Sequence, residues 1–109
     1  MTRLVVRNIG TLLSGDLERP VLDATSLACE DGRIVAMGDE ADGSSADVVV
    51  DARGTTVAPG LIDSHCHVVL GDYTPRQKTV DFLASYVHGG ITSVVSPGEI
   101  HAPGRPRDQ

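Results

Sequence analysis

The apolar positions along the chain fall into two textures. Over residues 1–58 they form short runs broken by turn formers. Leu4, Val5 and Val6 make a β-favouring run, and another begins near Ser26. There Asp31-Gly32 separates residues 27–30 from 33–37. An Asp-Gly pair between two such runs predicts a hairpin, because both residues tolerate positive φ. Residues 38–47, rich in Gly, Asp and Ser, predict an exposed loop. Val48 to Val50 and Thr55 to Val57 predict two further strands around a turn at Arg53-Gly54. Several short strands with frequent turns suggest a small sandwich or part of one.

The texture changes after Pro59-Gly60. Residues 61–70 are mostly apolar and predict a strand, yet they carry Asp63, His65 and His67. A helix follows, with Thr74 as its N-cap, Pro75 at its first position and Gln77 reaching back in a capping box. Val80, Leu83, Ala84 and Val87 recur at helical spacing and predict one buried stripe, which Gly89-Gly90 ends. Residues 91–95 are a second strand, stopped by Pro97-Gly98. Strand, helix and strand with this connection length predict a parallel βαβ unit. The chain is expected to divide into 1–58 and 59–109, and the last nine residues have no apolar periodicity.

Composition narrows the function classes. Acidic residues outnumber Lys and Arg by 15 to 9, a formal charge of -6, which argues against nucleic acid and anionic membrane as partners. No run approaches the roughly 20 apolar residues that cross a bilayer, and the first residues are too short an apolar stretch for a signal peptide. Cys29 and Cys66 are too few for a disulfide framework, so a reducing cytoplasm is the expected setting.

The chemistry concentrates in the strand after Pro59. Side chains of a strand alternate between faces, so residues 63, 65 and 67 project one way. His65 and His67 would then offer two imidazoles to one divalent ion. Asp63 could accept a hydrogen bond from a ligand histidine or a neighbouring backbone amide and fix the geometry. Cys66 points to the opposite face and is expected in the core, and Cys29 reads as a small apolar strand residue. Tyr73, Arg76 and Lys78 follow the metal strand. Arg76 could grip a substrate carboxylate, or lie in a solvated first helical turn. His101 is either a substrate contact or an exposed loop residue, and His88 suits a helix C-terminus.

The run Pro59-Gly60-Leu61-Ile62-Asp63-Ser64-His65-Cys66-His67 resembles the signature of the amidohydrolase superfamily, and Glu30-Asp31-Gly32-Arg33-Ile34 is similar to a hairpin many members carry. Residues 71–79, His88-Gly89-Gly90 and Pro103-Gly104-Arg105-Pro106 are similar to the bacterial enamidases of nicotinate fermentation. The resemblance implies an α/β fold: the N-terminal part of a small β-sandwich, then the first βαβ unit of a (β/α)₈ TIM barrel, incomplete here. It implies a homo-oligomeric hydrolase that uses Zn²⁺ or Fe²⁺, one ion or two, to open a cyclic amide, a tetrahydro-oxonicotinate in the enamidase case. Dihydroorotase-like or deaminase chemistry, or a non-catalytic scaffold, are the alternatives.

A whole barrel needs roughly 250 residues, and about fifty follow Pro59, so no catalytic base can be assigned. The 109 residues alone are therefore expected to be a fragment without hydrolase activity that aggregates or folds only in part.

Overall fold

In the computed structural model, which describes residues 2–41, 43–70, 79–97 and 99–100, the chain divides into the units Met1–Pro59 and Gly60–Gln109. The strands of the first unit are β1 Arg3–Arg7, β2 Thr11–Leu13, β3 Val21–Leu22, β4 Leu27–Glu30, β5 Arg33–Met37, β6 Val48–Asp51 and β7 Thr56–Val57. They form a four-stranded sheet in the order β5-β4-β1-β6 and a three-stranded sheet in the order β3-β2-β7. β1 is antiparallel to β4 and parallel to β6, while β2 is antiparallel to β3 and parallel to β7.

The expected hairpin is present. Asp31 and Gly32 take φ of 48° and 80° between β4 and β5, the left-handed pair that such a two-residue turn requires. The expected turn at Arg53-Gly54 is present too, with φ of 51° and 77°. It passes the chain from one sheet to the other, because β6 pairs with β1 and β7 with β2. The β1–β2 connection turns beside it. Gly54 N–H donates to the Asn8 carbonyl at 2.7 Å and Gly10 N–H to the Thr55 carbonyl at 2.9 Å. The two backbones come so close that a Cβ on Gly10 would lie 2.0 Å from the Gly54 carbonyl oxygen.

Strand alternation builds two small cores from one sheet. Val5, Ala28 and Ala41 cluster on one side with Ala36 and Ala46. Ile9, Leu12 and Leu27 cluster on the other with Val6, Leu22, Cys29 and Val57, which joins side chains of both sheets. One expectation needs correction here. The segment expected to be an exposed loop contains a 3₁₀ turn, Gly38–Glu40, and then buries Ala41 in the cluster of Val5 and Ala28. β2 and β3 escape the sequence pattern because strands of three and two residues are too short to show a period.

The second unit holds β8 Leu61–Asp63, β9 Val69–Leu70, α1 Thr79–His88, β10 Ile91–Val94 and β11 Glu99–Ile100. β8 pairs with β10 and β9 with β11, both in parallel. The strand–helix–strand reading therefore holds, and Gly89-Gly90 follows α1 directly, Gly90 with φ of 85°. The capping box at residues 74–77 lies outside the described residues. A Cβ on Gly60 would fall 1.9 Å from Thr92 Oγ1, so the approach of β8 to β10 requires glycine at that point.

The buried stripe is a second correction. Val80, Leu83, Ala84 and Val87 are exposed, Val80 at 75% and Val87 at 66%. The half-buried positions of α1 are Phe82 and Tyr86, whose rings stack at 4.7 Å. Aromatic rings bury more surface than valine methyl groups, and the Tyr86 hydroxyl also finds a polar partner on that side, so this face turns inward.

Candidate metal site

Asp63 closes β8 and interrupts the strand expected over residues 61–70. Its Oδ1 accepts the His65 backbone N–H at 3.1 Å, a side-chain turn that aspartate favours over continued ladder pairing. The chain still follows its neighbour: Val95 N–H donates to the Asp63 carbonyl at 2.9 Å and Cys66 N–H to the Val95 carbonyl at 3.2 Å. Val68 N–H then donates to Ser96 Oγ at 3.1 Å. Regular pairing resumes at β9.

Alternation is lost at Ser64 and His65, which are both exposed, and resumes from there. Cys66 and Val68 are buried, whereas His65 and His67 are exposed. Cys66 thus takes the packed position expected of it, and both imidazoles stand on the open side. Their ring centres lie 5.4 Å apart with planes at 65°. A metal–nitrogen bond of about 2.0–2.1 Å puts each ring centre about 3 Å from a shared ion, so two ligand rings at a tetrahedral angle stand about 5 Å apart. The observed pair fits that requirement. Among the described residues no cluster of three or more His, Cys, Asp or Glu side chains surrounds it.

Asp63 works in two directions. While Oδ1 holds the His65 amide, Oδ2 accepts the Tyr86 hydroxyl at 3.0 Å. The carboxylate on which that hydroxyl rests pushes the Tyr86 phenol up to about 12, reinforced by desolvation, by the Asp63 charge and by the nearby Cys66 thiol. Sequence reasoning passed over Tyr86. The available signal was its spacing of four from Phe82 on a helix, which sets the two rings on one face.

The other residues singled out divide simply. Tyr73, Arg76, Lys78 and His101 lie outside the described residues. His88 is the last residue of α1 and is exposed. Cys29 lies on β4 against the Leu27 cluster, and both cysteines are free.

No protein-family model matches the chain. A solved enamidase structure, described as a new member of the amidohydrolase superfamily, aligns with a TM-score of 0.78 and 49% identity over 98% of this chain and 28% of that one. Over nearly its whole length this chain is thus similar to a member of the amidohydrolase superfamily. It is similar in sequence to enamidase from Eubacterium barkeri, at 50% identity over 99% of this chain and 28% of that enzyme. Imidazolonepropionase from Paenarthrobacter aurescens (strain TC1) is 39% identical over 80% of this chain and 22% of its own. The chain thus spans between a fifth and a third of the length of these relatives.

Proposed function

We propose that this chain belongs to a metal-dependent amidohydrolase that opens a cyclic amide C–N bond, with His65 and His67 as metal ligands. The observation that carries the reading is the exposed imidazole pair, 5.4 Å apart, just beyond the carboxyl end of parallel strand β8. In a (β/α)₈ barrel that end of the strands is where chemistry sits. Residues 1–58 would then be strands of a small β-sandwich and residues 59–109 the start of the barrel. The 50% identity to enamidase supports a cyclic enamide as substrate.

A divalent zinc or iron ion held there would supply Lewis-acid polarisation of the amide carbonyl and acidify a water molecule. The protein's own part is positional. Asp63 holds the backbone of His65 and so limits the directions its ring can take. Arg76, Tyr73 and His101 are proposed substrate contacts, Arg76 for a carboxylate on the ring. An imidazolonepropionase-like substrate is the second reading, favoured by the 39% identity to that enzyme.

The test uses the intact protein with whatever coding sequence surrounds these residues. Metal content is measured by mass spectrometry, alongside product release from a tetrahydro-oxonicotinate and from imidazolonepropionate. Replacing His65 and His67 together by alanine is expected to strip the metal and lower turnover by more than about a hundredfold, since changes in outer partners alone already cost 10–100-fold. Unchanged metal content in that variant would overturn the assignment. The preferred ring decides between the two substrates.

A further inference from the structure

One hydroxyl on α1 reaches back to the backbone from which both candidate ligands project. The Tyr86 hydroxyl donates to Asp63 Oδ2 at 3.0 Å, and Asp63 Oδ1 accepts the His65 N–H at 3.1 Å. Tyr86 is half-buried, and its ring is fixed against Phe82 at 4.7 Å. Cys66, between the two histidines, is buried and tied to Val95. The helix itself packs on β9, which follows this segment, and on β10, which pairs with β8.

We propose that Tyr86 is a positioning residue that, through Asp63, sets the turn from which His65 and His67 project. The inference rests on the metal-site reading above and extends it to a residue that touches neither imidazole. A carboxylate with a single partner can rotate about its last torsion. Asp63 has a partner on each oxygen, so its plane is fixed and the His65 amide is held in one place. The result is a pair of imidazoles ordered before any ion arrives, which lowers the cost of binding one.

Tyr86→Phe keeps the ring against Phe82 and removes only the hydroxyl, so it isolates the link. Two measurements on the intact apo-protein test it. Amide exchange, followed by mass spectrometry on peptides covering residues 61–68, is expected to quicken about tenfold at His65 in the variant, with the rest of α1 unchanged. Titration with cobalt(II) is expected to give about a tenfold weaker Kd, the lower end of what loss of an outer partner costs. In an Asp63→Ala background, where the link is already cut, Tyr86→Phe should add nothing to either readout. Unchanged exchange at His65, or an equal effect of Tyr86→Phe with and without Asp63, would overturn the proposal. Quickened exchange in a protein whose wild type takes up no cobalt would instead overturn the metal reading and leave the positioning role standing.

Discussion

Asp51 Oδ1 accepts hydrogen bonds from Asn8 Nδ2 at 3.0 Å and from the Arg53 N–H at 2.9 Å, and the Arg7 guanidinium lies 3.8 Å from Oδ2. The Asn8 bond, then the Arg53 amide, and more weakly the Arg7 charge hold its pKa below the usual carboxylate value, against a small opposing effect of burial. A carboxyl group with a lowered folded pKa contributes stability above its unfolded pKa and loses it as pH falls through the folded one. Asp51→Asn should therefore flatten the decline of stability below about pH 4, a window set by the ordinary aspartate pKa. Urea midpoints of the intact protein between pH 5 and pH 2.5 would read it, and an unaltered acid limb would count against the role. At the same corner, Gly10→Ala drives a methyl group into the Gly54 carbonyl. The expected loss is about 1–3 kcal/mol, the usual cost of forcing an extra methylene into packed structure, read from the same urea titration.

The β4–β5 hairpin is the element most visible in the sequence, and the geometry explains why. Its turn needs two successive left-handed residues, which Asp31 and Gly32 adopt at φ 48° and 80°. Gly32 has nothing within 4 Å of an added Cβ, so a substitution there reports backbone strain and not a clash. Gly32→Ala is expected to cost about 1–2 kcal/mol, the left-handed penalty for a residue with a side chain, measured by denaturation. In α1 the same kind of reading failed. The stripe of Val80, Leu83, Ala84 and Val87 has the right spacing, but spacing fixes only which residues share a face. Which face turns inward was decided by Phe82 and Tyr86 and by the Asp63 carboxylate that meets the tyrosine hydroxyl.

Across the molecule, large apolar side chains remain open to solvent: Val80 and Val87 on α1, Val48 to Val50 on edge strand β6, and Ile34, Val35 and Met37 on edge strand β5. In the first unit an apolar cleft of about 300 Å³ runs between Leu12, Leu22, Leu27, Ile34, Met37 and Val57. Exposed apolar faces and unpaired strand edges invite association. Expressed alone, the 109 residues are expected to elute from size exclusion as aggregates and to bind a hydrophobic dye. Val80→Lys together with Val87→Lys should raise the soluble yield. A sharp, reversible transition in a monomer of the unaltered chain would contradict this expectation.

The alternation of residues 65 to 68 was legible in the sequence, and so were the hairpin and the parallel strand–helix–strand unit. Each depends on chemistry carried within a few residues: a period of two, an Asp-Gly pair, a Gly-Gly stop. The sequence by itself thus determined that His65 and His67 stand on one side and Cys66 on the other. Tertiary structure decided the rest, because it depends on partners far along the chain. The strand breaks after Asp63 because that carboxylate captures the His65 amide while Val95 and Ser96 take up the neighbouring backbone. Ala41 is buried because Val5 lies across from it. Tyr86 joins the candidate site because a residue 23 positions earlier supplies its acceptor, and no local pattern encodes a pairing at that distance.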